Sequence, residues 1–158
     1  MVTSVHLLSG AVVAVVLKDP LLVAPVAFGL HYVLDGISHY APFPVIGFKE
    51  KGIKGTSIND LVLKSIEPLL GIIIVAMFIA LSPNSLRFPI FIGALFGWLP
   101  DLLVFLEWKF NIHRPYPIKK IEDKYHKHVD GAKGIVPQIV LAVSCVVFLS
   151  VWIVRMRK

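Results

Sequence analysis

Between Ile135 and Val154 the chain runs for about twenty residues without a charged side chain. As a helix rising 1.5 Å per residue, such a run reaches about 30 Å, the thickness of a bilayer's hydrocarbon core. Four more apolar segments precede it, at about Ser4–Leu17, Leu21–Tyr40, Ile58–Leu81 and Phe88–Phe110. None alternates polar and apolar residues as the strands of a membrane β-barrel do, so helices are expected. The breaks are Lys18-Asp19-Pro20, then Pro42 and Pro44, then Ser82-Pro83-Asn84, and Ser57 or Asn59 is placed to cap the third helix. Segments two to five are each long enough to span a bilayer, and the first is short. It folds back on the second as a tight hairpin or enters the membrane only partway. It resembles a signal peptide in length, but no basic stretch precedes it and no small-residue cleavage site follows, so a retained helix is expected.

Composition agrees. Hydrophobic types make up 56% of the 158 residues and charged types 16%, against roughly 25% charged in a soluble domain. Mean hydropathy is +0.78. The expected architecture is all-α: a polytopic helical membrane protein with about five hydrophobic helices, forming one membrane-embedded domain over residues 1–158. Disordered, coiled-coil and disulfide-scaffold classes are excluded, the last because Cys145 is the only cysteine.

The formal net charge is +6. The basic residues lie between the apolar runs, so contact with anionic lipid headgroups accounts for them and no nucleic-acid partner is expected. Five crossings would place Lys49, Lys51, Lys54, Lys109, Arg114, Lys119, Lys120, Lys124, Lys127 and Lys133 on the amino-terminal side. Lys18, Arg87, Arg155, Arg157 and Lys158 would lie opposite. Ten against five puts the amino-terminal side in the cytoplasm of a cell-membrane protein; the basic carboxyl tail argues the other way.

Ionisable side chains inside such segments cost at least a few kcal/mol on insertion scales and need a reason. His31, Asp35 and His39 recur at i, i+4 and i+8, which puts them on one helical stripe. His and Asp are ligands for zinc, and also for iron or manganese. The other reading is a polar interfacial patch with hydrogen-bonded histidines. His6 should join the stripe, because the Lys18-Asp19-Pro20 turn makes the first two segments antiparallel neighbours. Asp101, after Pro100, lies in the same half of the fourth segment, as ligand, acid/base group or partner of a loop lysine. Glu107 falls on roughly the opposite face. His126 and His128, in a basic loop, could complete a metal site, the other reading being a solvated loop touching lipid phosphate, and His113 is a weaker candidate. Glu67, beside Pro68, could support a ligand, accept a proton or pair with Lys64. All six histidines, with Asp35 and Asp101, map to one side of the membrane.

The blocks His6-Leu7-Leu8-Ser9-Gly10, His31-Tyr32-Val33-Leu34-Asp35-Gly36-Ile37-Ser38-His39 and Leu99-Pro100-Asp101 resemble the small bacterial and archaeal membrane proteins related to membrane-bound metal-dependent hydrolases. The resemblance covers about two-thirds of the chain in order. It implies a divalent-metal site of His6, His31, Asp35, His39, Asp101 and His126, and hydrolase activity by assignment. Two features depart from the family pattern: Ser38 stands where proline usually precedes the second histidine, and the His-Arg-Gly-x-Thr-His block is absent.

The expected function is a metal-dependent hydrolase acting at the cytoplasmic interface on a lipid or lipid-linked ester or phosphoester. Asp35 or Asp101, whichever is not a ligand, would be the catalytic base, and zinc the first choice of metal. The alternatives are a metal-ion or proton transporter and a non-enzymatic membrane assembly subunit.

Overall fold

The computed structural model describes residues 3–37, 58–110, 112–125 and 132–156. Six helices account for nearly all of them: α1 (Thr3–Leu17), α2 (Pro20–Asp35), α3 (Ile58–Leu81), α4 (Asn84–Phe110), α5 (Tyr116–Tyr125) and α6 (Ala132–Met156). There is no strand among the described residues. The all-α class expected from the continuous apolar runs is the observed one.

The α1–α2 hairpin is closed by local chemistry. Lys18 turns the chain with a φ of 63°, a left-handed conformation. Asp19 then caps α2, its Oδ1 accepting from the Leu21 N–H at 3.0 Å, and Pro20 opens the helix where a missing N–H costs nothing. The α3–α4 turn is fastened by Arg87. Its guanidinium donates to the Ser82 and Ala80 carbonyls at 3.2 and 3.3 Å, placing a cation at the negative end of α3.

α1 is the hub, packed by α2, α3, α4 and α6. Its residues Val5–Ala11, Ala14 and Val15 are all buried. Around them Val23, Phe78, Ile90, Ala94, Leu149 and Ile153 complete the core. The α1–α4 crossing is unusually close. A methyl group built on Gly10 would lie 2.0 Å from the Gly93 carbonyl oxygen, and one on Gly93 would lie 2.2 Å from that of Gly10. Only glycines permit this approach, and the Gly93-x3-Gly97 spacing that supplies them is a recurrent seam between membrane helices.

The outward faces are apolar. On α6, Val136, Val140, Val143, Val147, Val151 and Val154 form an exposed stripe at helical spacing, and Leu69, Leu70, Ile73 and Met77 do the same on α3. Among the described residues, two helices, over Asn84–Glu107 and Lys133–Met156, are long and apolar enough to cross a membrane.

Three expectations change. α2 ends at Asp35 with Gly36 as its cap, so it has 16 residues and the helix does not run on to Tyr40. Asn59 lies inside α3, which begins at Ile58; the other proposed cap, Ser57, lies outside the described residues. Part of the expected solvated basic loop is a ten-residue helix, α5. It begins on the Pro115 carbonyl, which accepts from Ile118 and Lys119. Proline in a first helical turn removes no needed donor. Ile118 and Ile121 share one side of α5 and Lys119, Lys120 and Lys124 the other, and the helix packs on α2.

A candidate metal centre

The hairpin geometry brings His6, in the first turns of α1, beside His31 and Asp35 in the last turns of α2. α4 contributes Asp101 to the same end of the bundle. The side chains of His6, His31 and Asp35 are 0%, 1% and 2% exposed, and that of Asp101 26%. The imidazole rings of His6 and His31 stack with centroids 3.9 Å apart and planes at 29°.

Asp35 joins the two rings. Its Oδ1 is 3.1 Å from His6 Nε2 and its Oδ2 is 3.2 Å from His31 Nε2. Asp101 Oδ1 lies 3.9 Å from that same His31 nitrogen. The opposite nitrogen, His31 Nδ1, donates to the Gly97 carbonyl oxygen at 2.9 Å. A carbonyl can only accept, so the proton sits on Nδ1. In a neutral ring Nε2 then carries a lone pair. That lone pair faces two carboxylates, which repel it. A positive charge, either a second proton or a metal ion, reconciles the three groups.

The donor set fits a metal ion on independent grounds. His6 Nδ1 and Asp101 Oδ2 are buried with no hydrogen-bond partner among the described residues. Buried polar atoms of this kind are rare in folded proteins and call for an ion or water to satisfy them. His6, His31 and Asp101 each offer one ligand atom, and the three atoms lie within 4.8 Å of one another. A metal-binding histidine normally gives its other N–H to a carbonyl or carboxylate, which is the relation of His31 to Gly97.

Pro100 prepares this position. It has no N–H for the Phe96 carbonyl one turn back, so the ladder of α4 is interrupted there. The next carbonyl along, that of Gly97, is the one that accepts from His31. Gly97 also permits α1 to approach, since a methyl group there would lie 2.4 Å from the His6 carbonyl oxygen.

Of the seven expected ligands, the structure brings together His6, His31, Asp35 and Asp101. His39, His126 and His128 lie outside the described residues. Glu107 and Arg114 form an ion pair at the end of α4. His113 stands 4.0 Å from Glu107 with its side chain 80% exposed, so it belongs to that surface cluster. Glu67 accepts from the Ser4 backbone N–H at 2.6 Å; the Lys64 side chain lies outside the described residues. Residue reading missed Gly10, Gly93 and Gly97. The signal was present in the Gly93-x3-Gly97 spacing beside the Leu99-Pro100-Asp101 block.

No family model, curated protein or solved structure matches the chain.

Proposed function

We propose that this chain is an integral membrane protein whose His/Asp cluster holds a divalent cation, zinc first among them, and uses it in hydrolysis. The observation that carries the reading is His31. Its Nδ1 is fixed on Gly97, its Nε2 is turned to two carboxylates, and unpartnered buried atoms of His6 and Asp101 stand beside it. His6, His31 and Asp101 would hold the ion, with Gly97 orienting the His31 ring and Asp35 the His6 ring. When bound, a divalent cation activates water and neutralises charge developing on a carbonyl or phosphoryl oxygen. Asp35, or Asp101 if it is not a ligand, would accept the proton that water loses. Asp101 is the partly exposed member of the group, so substrate would enter along its side of α4.

The membrane reading is supported by where the apolar surface lies. A hydrophobic helix in a soluble protein is mostly buried, whereas 11% of the α6 window and 33% of the α4 window are buried here. Polytopic insertion with the cluster near the cytoplasmic interface agrees with the loop charges. It makes a lipid or lipid-linked ester or phosphoester the natural substrate. The resemblance to membrane-bound metal-dependent hydrolases points the same way.

Transport of a metal ion or protons is favoured less. A conduction path needs polar groups through the depth of the bundle. Beyond the cluster, Ala14, Val15, Val23, Ile90 and Leu149 around α1 are apolar and buried, and the buried Ser82 and Gln138 side chains bond to backbone carbonyls one turn back.

Metal analysis of the purified protein tests the proposal. About one zinc, iron or manganese ion per chain is expected, with His31→Ala and Asp35→Ala each losing most of it while keeping helical content. A wild-type protein that takes up none of the three ions would refute it.

A further inference from the structure

Glu67 stands in the apolar part of α3, beside Pro68. An acid there needs a partner. Its partner is the amino-terminal end of α1, where Oε1 accepts from the Ser4 N–H at 2.6 Å. α1 begins at Thr3, so this N–H is among the first four of the helix, which have no acceptor within it. The positive end of the helix dipole adds to the attraction. One turn further along α3, Gly71 makes room for the contact: a methyl group there would lie 2.8 Å from Ser4 Cα and 3.0 Å from Leu7 Cδ1.

His6 is two residues beyond Ser4. On its other side Gly97 of α4 presses against the His6 carbonyl. The first turn of α1 is therefore gripped from α3 and from α4, and both grips end on backbone within two residues of the His6 ring. A slide of α1 by one residue is a displacement of about 1.5 Å. That is enough to break the 3.1 Å contact from His6 to Asp35 and to unstack rings 3.9 Å apart. The glycine contact limits sideways motion. The Glu67 hydrogen bond limits motion along the axis.

We propose that Glu67 is a positioning residue for the metal centre: by capping α1 from a neighbouring helix it sets the height at which His6 meets His31 and Asp101. This rests on the metal-centre reading above. It makes α3, which contributes no donor to the described group, a determinant of that group's geometry.

The test is Co(II) titration of the purified protein in detergent, followed by visible absorption, with wild type, Glu67→Ala and Glu67→Gln compared. Helical content and melting temperature are recorded alongside. Glu67→Ala should bind Co(II) at least about tenfold more weakly, with an altered d–d spectrum. Glu67→Gln keeps an oxygen able to accept from Ser4, and should stay within about threefold of wild type with an unchanged spectrum. A purely structural role would lower the melting temperature of Glu67→Ala and leave Co(II) affinity and spectrum alone, which would overturn the inference. So would a Glu67→Gln variant as weak as Glu67→Ala. A wild type that takes up no Co(II) would instead sink the metal centre itself, and the positioning role with it.

Discussion

Gly97 has no side chain, yet its carbonyl decides what His31 can offer. By holding Nδ1–H it turns Nε2 toward Asp35 and Asp101, and the ring becomes a ligand with a defined tautomer. Asp101 then differs from Asp35 in kind. Asp35 lies against both rings, whereas Asp101 has a buried oxygen with no partner among the described residues and some access to the outside. Asp101→Ala should therefore weaken metal binding by more than the ten- to hundredfold typical of groups that only orient a ligand. Equilibrium dialysis against Zn(II) measures this, and an affinity within about threefold of wild type would remove Asp101 from the ligand set. The residue types of the cluster were legible in the sequence, because His and Asp in an apolar helix are expensive and His31 and Asp35 share a stripe. The role of Gly97 was not, since every residue has a carbonyl and only the packing tells which one is used.

At the scale of the element, the α1–α4 seam sorts the glycines. Gly93→Ala puts a methyl group 2.2 Å from the Gly10 carbonyl oxygen, and something must shift. A loss of about 1–3 kcal/mol is expected, the usual cost of overpacking. Gly29, in α2, has nothing within 4 Å of where its methyl would be, so Gly29→Ala should be neutral or stabilising by up to about 1 kcal/mol. Thermal unfolding in detergent checks the pair, and equal effects would mean that the seam is looser than described. The five apolar helices could be read from the sequence because unbroken apolar runs admit few other structures. α5 could not, since its ten residues carry only a short apolar pattern among lysines and acids. The end of α2 was misplaced for the opposite reason: the run from Leu21 to Tyr40 continues past Gly36, where the helix stops.

The described bundle is inside-out relative to a soluble one in one respect: apolar stripes face outward on α3 and α6. A lipid surround is the expected consequence. Alkaline carbonate should leave the protein in the membrane pellet, and its release into the supernatant would contradict membrane insertion. Val143→Lys, near the middle of the α6 stripe, should disfavour insertion by about 2.5–3.5 kcal/mol in a glycosylation-reporter assay. The same substitution on a water-facing helix would change little.

The enclosure of α1 has a consequence for biogenesis. Its 15 residues are translated before α4 and α6, which supply much of its housing from residues 84 and 132 onward. The hub must wait, sheltered by α2 and α3, until those later walls are synthesised. Its amides should accordingly be the slowest to exchange with deuterium in the finished protein, and a nascent chain halted before α4 should leave them open to exchange.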